Sequence, residues 1–183
     1  LDPKDALSYY NRGVTYAARK EADRAIADFD QSIRIDPKNA LAFYNRGLVL
    51  RTKHDDERAI ADFSQAIRLD PKHALAYYHR GIAYRGRGSI DRALADLGES
   101  IKLDGKNADA YYEHGNALYD KRDYDHAIAD LNQAINIKPD YTAAFNVRGL
   151  AYNGKGDSDR AIADFDQALR IDPKFAAALS NRG

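Results

Sequence analysis

Residues 6–39 read ALSYYNRGVTYAARKEADRAIADFDQSIRIDPKN, and the chain repeats this pattern with variations along its whole length. Three grids fix the period. Pro3, Pro37, Pro71, Pro139 and Pro173 fall on one grid of 34 residues, with Gly105 in the vacant slot. Gly13, Gly47, Gly81, Gly115, Gly149 and Gly183 fall on a second grid of 34, and Ala25, Ala59, Ala93, Ala127 and Ala161 on a third. Independent grids with one period mark a repeat architecture. The units are 6–39, 40–73, 74–107, 108–141 and 142–175, with partial units at 1–5 and 176–183, all within one array spanning 1–183.

Each unit reads as two helices. Tyr9, Gly13 and Tyr16 share one face of the first helix, and Ala25, Phe29, Ser32 and Ile33 one face of the second. A polar turn separates them, clearest at Lys155-Gly156-Asp157, where glycine can end one helix and aspartate cap the next. Asp-Pro-Lys follows the second helix, and proline cannot continue it. Asp5, Asn39 and Asn107 stand where the next helix needs a cap; His73, Tyr141 and Phe175 are poorer caps in the same slot. Glycine inside a helix costs about 1 kcal/mol relative to alanine. Its recurrence is expected to reflect close approach, with Gly13 facing Ala25. The third unit alone carries Gly86, Gly88, Gly98 and Gly105, and is expected to be the weakest.

Composition bounds the function. The chain has 183 residues, 44% hydrophobic and 31% charged. Its 28 basic and 28 acidic residues cancel, which argues against bulk binding to nucleic acid or an anionic membrane. Without cysteine there is neither a disulfide nor a thiolate metal site. No stretch approaches the apolar length of a membrane span, and no signal peptide is visible. The expectation is a soluble protein, cytoplasmic or periplasmic. It begins at Leu1, contains no methionine and stops eight residues into a sixth unit, so it is expected to be a piece of a longer array.

With these residues in place the chain resembles the tetratricopeptide (TPR) repeat family. Tyr9, Gly13, Tyr16, Ala25, Phe29 and Pro37 fill the signature slots of the first unit. Phe43, Gly47, Leu50, Ala59, Phe63, Ala66 and Pro71 fill those of the second. The resemblance implies an all-α solenoid, a right-handed superhelix of antiparallel helix pairs whose first helices line a concave groove. It implies a non-catalytic scaffold for another protein or peptide segment, without a cofactor. One departure recurs: the family usually has leucine before the glycine, where this chain has Arg12, Arg46, Arg80, His114 and Arg148. Sixteen residues later stand Asp28, Asp62, Asp96, Asp130 and Asp164, expected to form semi-buried ion pairs that set registry.

On the resemblance, the second, fifth, sixth, ninth and twelfth residues of each unit face the groove. The fifth slot holds a tyrosine ladder, Tyr10, Tyr44, Tyr78 and Tyr112, ending at Asn146. The sixth holds Asn11, Asn45, His79, Glu113 and Val147. Arg51, Arg85 and Tyr119 come from the twelfth, and Asn116 from the ninth. Tyrosine offers a rigid apolar face with a hydroxyl, and asparagine can bond a peptide backbone as donor and acceptor. Arg51 and Arg85 are basic, whereas Asp109, Glu113 and Asp120 gather acid in the fourth unit. Some relatives clamp a chaperone's C-terminal carboxylate. Asn45 and Asn116 resemble clamp asparagines, but Tyr112 fills the matching lysine slot, so that ligand is not carried over. Some glycosyltransferases carry asparagine-lined arrays, and here His79, Glu113 and Val147 break the column. The five histidines form no metal-ligand pair, and His79 with Glu113 reads as a salt bridge rather than a metal site. Arg85-Gly86-Arg87-Gly88 ends a helix, where the dipole repels a phosphate. Two other readings stand beside the scaffold: an assembly module that associates weakly end to end, and the repeat region of a larger enzyme.

Overall fold

The computed structural model describes residues 5–182; Leu1, Asp2, Pro3, Lys4 and Gly183 lie outside the described residues. The partial unit expected at 1–5 and the two grid positions at Pro3 and Gly183 therefore fall largely or wholly outside them. Among the described residues there are eleven helices and no strand. They are α1 (Ala6–Ala18), α2 (Ala22–Ile35), α3 (Ala40–Thr52), α4 (Asp56–Leu69), α5 (Ala74–Gly86), α6 (Ile90–Leu103), α7 (Ala108–Asp120), α8 (Tyr124–Ile137), α9 (Thr142–Gly154), α10 (Ser158–Ile171) and α11 (Ala176–Arg182). They fall into two compact units, one up to Ser89 and one from Ile90, so the border lies inside the third repeat.

The turns explain the alternation. After each first helix one residue takes left-handed backbone: Lys20 (φ 61°), His54 (φ 60°), Gly88 (φ 73°), Arg122 (φ 65°) and Gly156 (φ 81°). Only the two glycines do so without crowding a Cβ. A cap then starts the second helix: Asp55, Asp123 and Asp157 accept from Arg58, His126 and Arg160 backbone N–H groups. First helices are capped as read: Asp5 accepts from Leu7 N, Asn39 from Ala42 N and Asn107 from Ala110 N. His73 also caps, its Nδ1 accepting from Ala76 N at 3.3 Å, while Tyr141 makes no side-chain cap bond.

The core sits inside the helix pairs. Phe29, Phe63, Leu97, Leu131 and Phe165 occupy one repeat slot and are all buried. Opposite them the glycine grid finds its cause. A Cβ on Gly47 would lie 2.7 Å from Phe63 Cε1, and one on Gly149 2.7 Å from Phe165 Cε1. The ring, rather than the Ala25 expected from sequence, is what Gly13 accommodates, at 2.9 Å from Phe29 Cε1. At Gly149 the helix backbone is close as well, with Ala161 O at 3.1 Å. A second small column, Ala42, Ala76, Ala110, Ala144 and Ala178, is completely buried.

Two glycines should respond oppositely to alanine. Gly47→Ala is expected to lose about 1–2 kcal/mol, since overpacking a core costs more than the helix propensity returns. Gly98→Ala in the third repeat is expected to gain up to about 1 kcal/mol. Its Cβ would meet nothing closer than His114 Nε2 at 3.8 Å. Denaturant midpoints of the two variants check the opposed signs.

The last helix differs in detail from expectation. Sequence assigned its docking to Ala176, Leu179 and Gly183. Here α11 packs on α10 and α9 through Ala178, while Leu179 is 53% exposed. Ala178 belongs to the buried alanine column, one helical position away from the face assumed. Arg182 reaches Asp166 at 2.6 Å, and Asn181 donates to Asn146 Oδ1 at 2.9 Å.

Candidate functional site

Slots two, five, six, nine and twelve of a first helix are spaced i, i+3, i+4, i+7 and i+10, so they share one face. In the unit up to Ser89, α3 touches both α1 and α5, which sets three such faces in a row. The second slot holds Leu7, Leu41 and Leu75, exposed at 61%, 50% and 44%. Val14 is exposed as well. Sequence reading named this slot but passed over its leucines, although their 34-residue recurrence was there to be seen.

The tyrosine ladder beside them is half-buried. Tyr10 lies 6.0 Å from Phe29 and its hydroxyl accepts from Asn45 Nδ2 at 3.0 Å. Asn45 donates also to Leu41 O at 2.9 Å. The Tyr44 ring stands 6.0 Å from Phe63, 4.6 Å from His73 and 5.8 Å from His79. Burial raises its phenol pKa. Tyr78 meets His79 edge-on at 4.9 Å. Ladder rings thus brace neighbouring repeats with one edge and present the other. Asn11 is exposed, whereas Arg51 and Arg85 are partly covered.

His79 departs from expectation. Burial first, then Arg51 and His73, push its pKa down to about 4. Its Nδ1 lies 3.2 Å from Arg51 Nη1, a bond in which only a neutral ring can accept. Its plane stacks on Phe63 at 5.9 Å. A neutral imidazole near pH 7 cannot be the cationic half of the salt bridge to Glu113 that sequence suggested.

In the unit from Ile90 on, the same face is chemically different. Asp109 and Asp120 are exposed, and Glu113 is partly covered. Tyr112 packs on Tyr141 at 4.9 Å and joins the core of Leu131, Ala134, Ala144 and Val147. Tyr119 packs on Tyr124 at 5.8 Å. Asn116 is only 6% exposed and Asn146 likewise, so both are core residues in practice. Among the described residues no cluster of metal-binding side chains occurs, and no helix is long and apolar enough to cross a membrane.

The arginine column does more than sequence implied. Arg12 forks onto Asp28 at 2.6 and 2.7 Å, and Arg148 onto Asp164 at 2.8 and 2.6 Å. His114 meets Asp130 at 2.6 Å. Each such cation can also reach backwards sixteen residues into the preceding repeat. Arg46 bonds Asp30 at 2.6 Å, Arg80 bonds Ser64 at 3.0 Å, and Arg148 bonds Asn132 at 2.6 Å. A second, surface ladder joins residues thirty apart: Lys53 to Asp23, Arg87 to Glu57, Lys121 to Asp91 and Lys155 to Asp125. Exposed pairs of this kind stabilise little. The arginine forks are committed to holding repeats in register and leave the exposed leucines as the uncommitted feature of the first unit.

Comparison with known proteins agrees with the repeat. The tetratricopeptide repeat family model matches residues 6–39, and a two-repeat form of it matches 78–142 and 112–175; a TPR repeat model matches 49–86. No curated protein matches the sequence. Among solved structures, the chain is similar to YrrB, described as a TPR protein with an unusual peptide-binding site. It is 24% identical over 98% of this chain and 92% of that one, with a TM-score of 0.86. It is similar to a MamA protein at 30% identity, over 93% of each chain and with a TM-score of 0.85. MamA from Desulfovibrio magneticus RS-1 is 21% identical over 96% of this chain and 98% of that one, with a TM-score of 0.88. The fold class is the all-α helical-repeat solenoid, a protein-interaction scaffold fold, and the chain belongs to the tetratricopeptide repeat family.

Proposed function

We propose that the chain is a non-catalytic scaffold which binds a segment of another protein on the first-helix face of its first unit. The observation that carries this is the exposed leucine column, Leu7, Leu41 and Leu75, on a neutral chain whose charge lies elsewhere. Apolar side chains in a row across three helices retain transfer free energy that a partner can collect, roughly 1.5–3 kcal/mol for each fully covered leucine. The ladder edges of Tyr10, Tyr44 and Tyr78 lie on the same helical face and supply aromatic contact area, Asn11 supplies backbone bonding, and Arg51 and Arg85 add positive charge. Tyr112, Glu113 and Tyr119 carry the corresponding face in the second unit. Asp109 there replaces the leucine, so a partner reaching it would meet acid. The proposal treats the repeats 6–39, 40–73, 74–107, 108–141 and 142–175 as one array. YrrB, of the same fold, is described as binding peptide, which is consistent with this reading.

The test is selection of binders from a displayed random-peptide library, followed by titration against the double variant Leu41→Glu/Leu75→Glu. Both leucines are exposed, so the fold should be unchanged by circular dichroism. Affinity is expected to fall roughly tenfold or more, the loss typical of removing anchor contacts. Unchanged affinity would remove this face from the site.

A further inference from the structure

The first unit contains an open pocket that the second unit fills with its own side chains. It has a volume of about 520 Å³ and is lined by Ala17, Ala22, Leu48, Val49 and Thr52, with Lys20 beside them. That is within the usual range for a binding pocket. Its floor is core: Val49 packs with Ala25 and Phe29, and Ala17 and Ala22 lean on the same cluster. Three repeats later, at a spacing of 102 residues, the matching positions are Tyr119 for Ala17, Tyr124 for Ala22, Leu150 for Leu48, Ala151 for Val49 and Gly154 for Thr52. There the Tyr119 and Tyr124 rings lie 5.8 Å apart. A Cβ on Gly154 would stand 2.6 Å from Tyr124 Cζ, so the tyrosine ring occupies this space. Tyrosine with glycine closes the position, and alanine with threonine leaves it open.

We propose that this pocket takes a tyrosine side chain from a partner protein segment, as an anchor for the segment bound on the adjoining helix face. This deepens the function proposed above and rests on it. The molecule itself shows the complement: a tyrosine ring fits the same backbone framework when the neighbours are small. An aromatic anchor in a core-walled pocket is the usual form of a binding hot spot. Charge narrows the partner further. Lys53, also lining the pocket, is paired with Asp23, while Lys20 adds a second cation on a left-handed turn. A tyrosine flanked by carboxylates is therefore preferred over one flanked by lysines.

The probe is the blocked tripeptide acetyl-Glu-Tyr-Glu-amide, titrated to millimolar concentration into the labelled chain and followed by amide chemical shifts. Saturable shifts are expected at Ala17, Ala22, Val49 and Thr52, with none from the matching Glu-Ala-Glu peptide. The variant Ala22→Tyr/Thr52→Gly installs the pairing of the second unit and should keep the helical spectrum while losing the tripeptide roughly tenfold or more. Should that variant fail to fold, Lys20→Glu serves instead, and is expected to weaken the tripeptide while sparing acetyl-Gln-Tyr-Gln-amide. Three results would overturn the proposal: no shifts at the pocket, shifts unaffected by closing it or by reversing Lys20, or movement of the same resonances with protein concentration alone, which would identify a second copy as the occupant. If library-selected peptides still lose affinity to the leucine variant in such a case, the helix face stands and only the pocket is lost.

Discussion

Replacing Arg46 with leucine is expected to destabilise the chain by about 3–5 kcal/mol, the range for removing one partner of a buried pair. The family usually carries leucine here, which makes the prediction sharp. Arg46 forks onto Asp62 at 2.8 and 2.6 Å and also holds Asp30 at 2.6 Å. The side chains are 18% exposed for Arg46 and 7% for Asp62. Leucine would pack, but it would leave the Asp62 carboxylate buried without its cation. The penalty belongs to the orphaned charge rather than to the lost attraction. The double variant Arg46→Leu/Asp62→Ala should therefore recover most of the loss, as a well-packed apolar pair can replace a buried ion pair at little cost. Guanidinium or urea midpoints for the single and double variants measure this. A single variant as stable as the parent would mean that the forks are ornamental.

Stability should also fall on mild acidification because of His79. Its folded pKa of about 4 lies below the ordinary value of 6.5. The group therefore costs nothing above pH 6.5, where both folded and unfolded chains hold it neutral. As pH drops from 6.5 towards 4, the unfolded chain takes up a proton that the folded chain refuses. The loss approaches about 3 kcal/mol near pH 4. The groups facing the ring are consistent with this sign: the aromatic rings of Tyr44, Phe63 and Tyr78, the cation Arg51, and His73. In His79→Asn, which carries the residue found at Asn11 and Asn45, this slope should be absent. The check is the difference in unfolding free energy between parent and variant across pH 4–7; parallel curves would contradict the assignment.

The repeat phase, the helix pairs and the caps were readable because they depend on spacing within one helix or its turn. The forward pairing of Arg46 with Asp62 was readable because both columns are nearly uniform. The backward mates were not. Asp30, Ser64, Gly98, Asn132 and Asp166 share a slot but no common chemistry, so nothing in the letters singles them out. Registration between helices decided the other differences. Gly13 meets the Phe29 ring rather than Ala25, and α11 docks through Ala178 rather than Leu179, each because a neighbouring helix is offset by about one residue from the simplest facing arrangement. His79 was misread because its neutralising surroundings, Phe63, Tyr44 and Arg51, converge from separate repeats. For the candidate site, the ladder was legible as a column, but its degree of burial was not. The leucine column was equally visible and was undervalued, since leucine on a helix ordinarily means core.

The most direct measurement is a hydrogen-exchange footprint of the chain with and without a library-selected peptide at saturation. The account predicts added protection in α1, α3 and α5, around Leu7, Leu41 and Leu75, with α2 and α4 unchanged. Protection confined to α2 and α4, or to the acidic face of α7, with α1, α3 and α5 unaffected, would contradict it.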